Sequence, residues 1–244
     1  MTKLKYGWKP QLPDHRDFRY VGAGILPASV SALTTMIPAY DQKTLGSCTA
    51  NGNGRIWQHR MYKEGKSYPV PSRLFIYYNE RVLEGDVSQD GGAPVRAGLK
   101  VLAKYGAPPE TDWPYVVSKF AAKPPAKAYT DALKDIALQY QAVSNNLTAT
   151  KQAIAAGNPV VFGFTVFESF ESDVVANTGV MPMPSKNEQV LGGHCVVMDG
   201  YNDASQRFIC ANSWGTSWGQ NGWFTMPYAN LINCSDFWVL LKVQ

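Results

Sequence analysis

The stretch Gln42-Lys43-Thr44-Leu45-Gly46-Ser47-Cys48-Thr49-Ala50 places one thiol directly after a Gly-Ser turn and six positions after a glutamine. A thiol attacks a carbonyl carbon only as the thiolate, so Cys48 needs a nearby base or cation that lowers its pKa. It also needs hydrogen-bond donors for the oxyanion that forms. The rest of the chain is therefore read for groups that meet these needs.

Length and composition indicate a globular protein with room for a cleft. The chain has 244 residues, of which 45% are hydrophobic, and it contains 13 Tyr and 7 Trp. This length suits one large domain or two small ones that share a cleft. The formal charge of +4 comes from scattered Lys and Arg, without a basic run interleaved with aromatics, which argues against a nucleic-acid partner.

The apolar runs are far too short to span a bilayer, as in Pro159 to Val166 and Cys195 to Met198, so we expect no membrane association. The first ten residues, Met1-Thr-Lys-Leu-Lys-Tyr-Gly-Trp-Lys-Pro, carry early lysines but no apolar core, so they do not form a secretory signal. We therefore expect a cytoplasmic monomer. The alternative that the protein is exported and its signal removed stays open.

The cysteines argue against a disulfide scaffold and against a metal centre. They show no CxxC pair and no dense spacing, and they stand at Cys48, Cys195, Cys210 and Cys234. Cys195 follows His194, but neighbours on a strand point to opposite faces and would not chelate together. We expect neither a metal nor a cofactor.

Three helices are predicted in the first 105 or so residues, which should be mostly helical. The first begins near Gly46 and ends at Gly65, although the run Asn51-Gly52-Asn53-Gly54 is a poor helical start, since each Gly costs about 1 kcal/mol relative to Ala. Packing must impose this helix, and its glycines should let another element come close. The second runs from Leu74 to Leu83 behind the capping segment Pro71-Ser72-Arg73, and the third from Val95 to Lys104.

After a proline-rich crossing between 107 and 125, the pattern changes to strands. They are predicted at 136–143, 160–167, 194–200, 207–211, 222–226 and 237–243, with one short helix at 148–156. This order predicts an α+β fold with a mainly helical lobe, 26–125, a mainly β lobe, 126–244, and a site in the cleft between them. Residues 1–25 have no sustained period and form an irregular arm, either a strap on the surface or a segment that lies near the cleft and regulates access.

Only three histidines could serve Cys48 as a base. His59 lies eleven positions later, about 16 Å away along one helix, which is too far to take the thiol proton. His15 belongs to the irregular arm. His194 opens an apolar strand that would hold it rigidly at a lobe edge, and although a lone His on a strand is usually structural, we favour it as the base.

A catalytic imidazole needs an orienting partner on its other ring nitrogen, and an amide oxygen can serve. Asn212 is the candidate, in the segment Asn212-Ser-Trp-Gly-Thr-Ser-Trp-Gly-Gln-Asn-Gly222. An Asn before Ser-Trp-Gly could also simply form a turn. Two Trp-Gly pairs exceed what a turn requires, however, and an indole could shield an Asn–His hydrogen bond from water.

Three blocks, Gln42 to Ala50, Gly192 to Tyr201 and Phe208 to Phe224, resemble the papain-like cysteine peptidases. The separation from Cys48 to His194 is 194 − 48 = 146 residues and that from Cys48 to Asn212 is 212 − 48 = 164. The first lies inside the range of about 130–150 typical of that family, and the second slightly beyond it. The resemblance runs from about Leu26 to the C-terminus, is concentrated in these blocks, and implies a two-lobed fold with a barrel-like antiparallel β lobe.

The resemblance also implies roles for individual residues. Cys48 would be the nucleophile, His194 the general base and acid, and Asn212 the orienter of His194. The oxyanion would be held by the Gln42 amide and the Cys48 backbone N–H, and Trp214 would cover the Asn212–His194 bond. Substrate backbone and side chains would be bound by Gly91, Gly92, Ala93, Pro94 and Gly193, with Ala93 and Pro94 lining the pocket for the side chain two places before the cleaved bond.

The chain departs from the family pattern at three places. Leu45 stands where the family often has a cysteine, so the usual nearby disulfide cannot form, which fits a reducing compartment. Thr49 stands where the family commonly has an aromatic residue after the nucleophile. This replacement removes bulk beside the thiol but removes no chemical group that the mechanism requires. About 25 residues precede the resemblance instead of a long inhibitory prosegment, and our hypothesis is that the arm partly replaces that segment.

The expected activity is that of a cysteine endopeptidase that forms a thioester acyl-enzyme on peptide or protein substrates. The helix N-terminus and a cationic His194 should hold Cys48 as a thiolate across neutral pH. Three alternatives stay open: acyl transfer to an amine or thiol by the same triad, a silent pseudo-peptidase that binds extended peptides, and an exopeptidase whose cleft is closed at one end.

Overall fold

The computed structural model describes residues 5–244, and its helices follow the predicted ones closely. They are α1 (Cys48–Lys63), α2 (Arg73–Glu84), α3 (Val95–Tyr105), α4 (Ala126–Ala132), α5 (Leu147–Ala155) and α6 (Asp173–Thr178). The predicted cap of the second helix is confirmed, since the Ser72 side chain accepts from the Phe75 N–H at 3.1 Å. The sequence missed α4 and α6 because seven and six residues are too few to show a helical period.

The strands form one antiparallel sheet. They are β1 (Ser29–Val30), β2 (Ala137–Ala142), β3 (Val160–Phe167), β4 (Val190–Asn202), β5 (Arg207–Ala211), β6 (Trp223–Pro227) and β7 (Cys234–Val243). Their order is β2-β7-β3-β4-β5-β6, and β1 adds to β4. All six predicted strands are present, and those at 160–167 and 207–211 match residue for residue. The α+β fold expected from the sequence is confirmed.

Helix α1 is the centre of the molecule, since every residue from Cys48 to Met61 is buried. It packs against α2 and α3 on one side and against β3, β4 and β7 on the other. A Cβ on Gly52 would lie 2.9 Å from Val161 and 3.1 Å from the Cys195 sulfur, so only glycine lets the sheet come this close. The prediction that the glycines of this helix let another element come close is confirmed.

The prediction that the first 105 or so residues are mostly helical is wrong. Between residues 5 and 47 the described chain contains no helix, and Ser29 and Val30 pair with Asn202 and Tyr201 of β4. The start of the predicted helical lobe therefore belongs to the sheet. This two-residue pairing depends on β4, a partner distant in sequence, and leaves no period of its own.

Part of the N-terminal arm forms a strap along the sheet. The Tyr20 N–H donates to the Ala142 carbonyl and the Ala142 N–H donates to the Phe18 carbonyl, both at 2.8 Å. The side chain of Phe18 is 77% exposed, whereas Tyr20 packs against the core, so backbone pairing and Tyr20 together hold the strap. Within residues 5–244, no helix is long and apolar enough to cross a membrane.

Candidate active site

Cys48 is the first residue of α1, where the free N–H groups of a helix favour negative charge. The turn before it is fixed by Tyr115, whose hydroxyl lies 2.5 Å from Ser47 Oγ and donates to the Gln42 carbonyl at 2.9 Å. These contacts hold the segment that precedes the thiol. The sulfur therefore stands at a rigid helix N-terminus, as the sequence led us to expect.

His194 lies on β4 and faces Asn212, with 2.8 Å between His194 Nε2 and Asn212 Oδ1. The same Oδ1 accepts the Ser213 N–H at 2.8 Å, which identifies it as the amide oxygen. His194 Nε2 must then carry the proton. The other ring nitrogen, Nδ1, is buried without a hydrogen-bond partner among the described residues, so it keeps a free lone pair for a proton from a thiol.

Trp214 covers this pair. Its ring stacks on the His194 imidazole with a centroid distance of 4.9 Å and an interplanar angle of 25°. Trp218 and Phe170 pack behind it, with centroids 5.0 and 5.4 Å from Trp214. The second Trp-Gly pair of the motif thus supports the first. This aromatic wall keeps water from the imidazole–amide hydrogen bond.

Gln42 is oriented by a residue that the sequence reasoning missed. Ser213 Oγ donates to Gln42 Oε1 at 2.6 Å, which fixes the side-chain amide with Nε2 on the opposite side. Gln42 Nε2 donates to the Leu45 carbonyl at 2.8 Å and to the Lys5 carbonyl at 3.1 Å. The position of Ser213 beside Asn212 was the available signal, although a serine in a turn-rich motif does not by itself indicate this bond.

The N-terminal arm occupies the predicted substrate-binding residues. The Trp8 N–H donates to the Gly193 carbonyl at 3.0 Å, the Lys9 N–H to the Ala93 carbonyl at 3.1 Å, and the Ala93 N–H to the Gly7 carbonyl at 2.8 Å. The pairing of Trp8 with Ala93 is parallel. The arm therefore takes the backbone positions at which an extended peptide would bind.

The predicted glycine pair and the proline after it differ in their contacts. Gly92 has φ of +75°, and a Cβ there would lie 1.9 Å from the Gly7 carbonyl oxygen, so glycine is required for this approach. Gly91 is exposed, and Pro94 precedes α3 as its N-cap residue. Of these residues, Gly92 therefore contacts the arm most tightly.

The arm also covers the thiol and the imidazole. Gly7 lies against the turn that precedes the thiol, since a Cβ on Gly7 would be 1.7 Å from the Gly46 carbonyl oxygen, and the Tyr6 ring meets the His194 ring edge-on at a centroid distance of 5.9 Å. Tyr6 is held by a hydrogen bond from its hydroxyl to Glu171. With the arm in place, Cys48 and His194 are both fully buried.

With the arm covering the site, the charge states of Cys48 and His194 differ from the thiolate and imidazolium that the sequence predicts. Burial raises the pKa of the Cys48 thiol from 9.0 to about 12, against smaller opposing effects of backbone donors. Burial likewise lowers the pKa of His194 from 6.5 to about 4, although its Asn212 hydrogen bond opposes this. With the arm docked, the neutral thiol and neutral imidazole therefore prevail at pH 7, and the ion pair needs solvent to reach the cleft.

Glu80 is a second residue that the sequence reasoning missed. It is fully buried on α2, and its Oε2 accepts a hydrogen bond from Thr49 Oγ1, next to Cys48, at 2.9 Å. Burial raises the pKa of Glu80 from 4.5 to about 8, so the carboxyl is largely protonated at neutral pH. Thr49 thus ties the first turn of α1 to α2 through this hydrogen bond.

The rejected alternatives lie outside this arrangement. His59 is buried in α1, eleven residues after Cys48, and its Nε2 lies 3.2 Å from the Gly157 carbonyl oxygen. All four cysteines are free, buried thiols. Within residues 5–244, no group of three or more His, Cys, Asp and Glu side chains is arranged to hold a metal ion.

Comparison with known proteins agrees with this geometry. The chain matches the family described as papain family cysteine protease over residues 27–236. It is 41% identical over 226 residues to an uncharacterized peptidase C1-like protein of Acanthamoeba polyphaga mimivirus, which covers 88% of this chain and 73% of the relative. It is 30% identical to mouse pro-cathepsin H, covering 91% of this chain and 67% of that protein.

Among solved structures, the chain is similar to xylellain, a cysteine protease from Xylella fastidiosa. The two superpose with a TM-score of 0.93 at 37% sequence identity, over 100% of this chain and 99% of the other. The similarity therefore includes the helices, the sheet and the cleft that separates them.

Proposed function

The chain belongs to the papain family of cysteine proteases, and from that premise we propose that Cys48, His194, Asn212 and Gln42 carry out its peptide-bond hydrolysis. One observation supports this assignment above the others. Asn212 and Trp214 hold His194 in the tautomer that leaves Nδ1 free as a base. His59 also has a buried Nδ1 without a partner. His194 differs because Trp214 stacks on it and because the next residue, Cys195, packs in one cluster with Cys48.

In the first half of the reaction, His194 Nδ1 takes the Cys48 proton and the sulfur attacks the substrate carbonyl carbon. The carbonyl π electrons move to oxygen, where Gln42 Nε2 and the Cys48 backbone N–H stabilise the negative charge. The oxyanion then collapses, the carbon–nitrogen bond breaks, and the imidazolium gives its proton to the leaving amine. The products are a free amine and a thioester on Cys48.

In the second half, His194 removes a proton from water, and the hydroxide oxygen attacks the thioester carbon. The carbon–sulfur bond breaks, the acid leaves, and the imidazolium and the Cys48 thiolate are restored. Throughout, Asn212 keeps the imidazole plane fixed and stabilises its cationic form without adding charge. Each peptide bond that is hydrolysed consumes one water molecule.

We further propose that the arm holds the enzyme latent. The arm pairs in parallel with Ala93 and lies against Gly46, and with it in place Cys48 is fully buried, so a substrate carbonyl cannot reach the thiol. The Lys5 carbonyl meanwhile takes a donor of Gln42. Activation then requires release of the arm, and the exposed segment Ala23-Gly24-Ile25 is a natural point of cleavage.

The test is peptide hydrolysis by three forms of the protein, with and without release of the arm through a specific cleavage sequence inserted after Ala23. The released wild type should hydrolyse internal bonds of a peptide library, as an endopeptidase does, and Cys48→Ala should be inactive while still binding peptide. Asn212→Ala should keep residual activity. Full turnover by Cys48→Ala would refute the assignment, and equal activity before and after release would refute latency.

Two competing activities can be separated in the same experiment. Transfer of the acyl group to an added amine, seen by mass analysis as an amide product in place of the acid, would identify an acyltransferase. Trimming of one or two residues from a peptide end would identify an exopeptidase. A pseudo-peptidase would bind the library without cleaving it.

A further inference from the structure

Arg73, the first residue of α2, lies against two tyrosine rings beside the segment that carries Gln42. Its guanidinium carbon is 4.7 Å from the centroid of the Tyr40 ring and 4.6 Å from that of Tyr115, and only 9% of the side chain is exposed. A flat guanidinium stacks on aromatic rings in a way that an ammonium group cannot. Arg73 therefore connects two aromatic side chains that both lie next to the segment of Gln42.

A carboxylate fixes the plane of this guanidinium. Arg73 donates from Nη2 to Glu110 Oε1 at 2.7 Å and from Nε to Glu110 Oε2 at 2.9 Å. Two such hydrogen bonds set the orientation of the guanidinium as well as its distance from the carboxylate. Nη1 takes no part in this ion pair, so its N–H groups are left for other acceptors.

The Nη1 group reaches both segments that carry the proposed oxyanion donors. It donates to the carbonyl of Asp41, the residue before Gln42, at 3.4 Å, and to Asn51 Oδ1 at 3.3 Å. Asn51 Nδ2 donates in turn to the Ser47 carbonyl at 2.9 Å. Because a peptide unit is planar, a hydrogen bond that fixes the Ser47 carbonyl also fixes the direction of the Cys48 N–H.

Tyr115 gives a second connection to the same two segments. Its hydroxyl donates to the Gln42 carbonyl at 2.9 Å and lies 2.5 Å from Ser47 Oγ. Since its ring lies against the guanidinium of Arg73, the position of the hydroxyl depends on that of the arginine.

We propose that Arg73 is a positioning residue for the oxyanion hole, which holds the Gln42 amide and the Cys48 N–H in one fixed arrangement. The inference rests on the proposed function, since it takes these two groups to stabilise the oxyanion. Such donors must lie about 2.7–3.1 Å from the oxyanion, and a displacement of about 1 Å can cost about a hundredfold in rate. Arg73 acts through Asp41, Asn51 and Tyr115.

The thiol and its base are held by other contacts. His194 is fixed by its hydrogen bond with Asn212 and by the stacked ring of Trp214, and the contacts of Arg73 given above include none of these residues. Loss of Arg73 should therefore weaken the oxyanion hole and spare the thiolate. Alkylation by iodoacetamide separates the two effects, because the sulfur displaces iodide and no oxyanion forms.

The test uses the full chain with the cleavage sequence after Ala23, folded with its arm and then released. In Arg73→Met, kcat for a peptide coumarylamide should fall by about ten- to a hundredfold, with KM within about twofold of wild type. The rate of Cys48 alkylation by iodoacetamide at pH 7 should also stay within about twofold. An unchanged kcat would overturn the proposal. So would an alkylation rate that falls as far as kcat, since the thiol would then be disturbed as well.

Two further variants control for charge and for folding. Lys127→Met removes an exposed lysine that pairs with Asp112 and Asp131 in the same lobe, and it should leave both rates unchanged. Arg73→Lys keeps the charge but loses the two-point contact with Glu110, so its kcat should fall nearly as far as that of Arg73→Met. A wild-type kcat in Arg73→Lys would overturn the positioning role. Urea midpoints check that each variant is folded, and Arg73→Lys decides the question where Arg73→Met does not fold.

Tyr115→Phe tests the connection between the guanidinium and Gln42. This variant keeps the ring beside Arg73 and removes the hydroxyl, so its kcat should fall as well. If the two residues act together, the double variant Arg73→Lys/Tyr115→Phe should lose less than the product of the two single losses. Losses that multiply would mean that the two residues act independently, contrary to the proposal.

The released wild type separates this proposal from the function on which it rests. If it hydrolyses no peptide and iodoacetamide leaves Cys48 unmodified, the proposed function fails. If it hydrolyses peptides and both Arg73 variants hydrolyse them equally fast, only the role of Arg73 fails.

Discussion

Replacing Trp8 by alanine should release the arm and expose Cys48 in the intact chain, without any cleavage of the backbone. The indole is the arm's main buried anchor in the cleft, at 9% exposure, and truncating a buried Trp typically costs about 3–5 kcal/mol. That cost falls on the docked arm alone, because the released arm exposes the ring. At about 1.4 kcal/mol per tenfold, the ratio of docked to open arm should fall by a factor of between about one hundred and about four thousand.

The assay is the second-order rate constant with which an epoxide inhibitor labels Cys48 in the intact chain. In Trp8→Ala this rate should rise by the same factor, up to the limit set by the arm-released enzyme. The matched control is Phe18→Ala, which truncates an aromatic of the same arm that is 77% exposed and anchors nothing in the cleft. Urea unfolding of both variants checks that the peptidase domain itself is intact.

The reasoning would be refuted by a Trp8→Ala chain that labels no faster than Phe18→Ala. Such a result would mean that backbone pairing with Gly193 and Ala93 alone keeps the cleft closed, or that labelling does not depend on the arm. Labelling of the arm-released enzyme in parallel distinguishes these two explanations.

Three further predictions follow from the buried groups around the thiol. In the intact chain, labelling of Cys48 by iodoacetamide should rise only as pH approaches about 12, whereas the arm-released enzyme should react readily across neutral pH; identical profiles would contradict this. Glu80 has a raised pKa, so the stability that it contributes to the fold is lost as pH rises from 4.5 through about 8. Glu80→Gln should therefore gain stability relative to wild type between pH 5 and pH 8, which urea midpoints at both values measure, and a difference independent of pH would show the carboxyl to be ionised in the fold. Ser213→Ala should lower kcat of the released enzyme by about tenfold with little change in KM, because Gln42 loses the bond that orients it toward the oxyanion. Ser213→Thr keeps the hydroxyl and should restore most of the loss, and a Thr variant as slow as Ala would contradict the positioning role.

The catalytic groups could be predicted because the sequence marks each of them locally. Cys48 stands at the start of a predicted helix, and of the three histidines His59 was excluded by its distance along that helix. Asn212 and Trp214 lie in one short motif, so their neighbourhood did not depend on the rest of the fold. The bounds of α2, α3, β3 and β5 followed in the same way from caps and apolar patterns.

The features that control the site could not be predicted, because they depend on contacts between distant residues. Residues 1–25 show no sustained pattern. Nothing in them indicates that Trp8 reaches Gly193, 185 positions later (193 − 8), or that its indole contacts Asp236. Asp236 has φ of +58° near the start of β7, a conformation that the sequence does not mark. Glu80 lies on a predicted helix, but only the three-dimensional packing shows that it faces Thr49.

The central claim is that Cys48 cleaves peptide bonds once the arm has left the cleft. Its most direct test is intact-mass analysis and peptide mapping of the released enzyme after treatment with an epoxide inhibitor, together with the rate of peptide hydrolysis. We predict one equivalent of inhibitor on Cys48, with hydrolysis lost in proportion to labelling. Modification of Cys195, Cys210 or Cys234 instead, or hydrolysis that persists when Cys48 is fully labelled, would contradict the account.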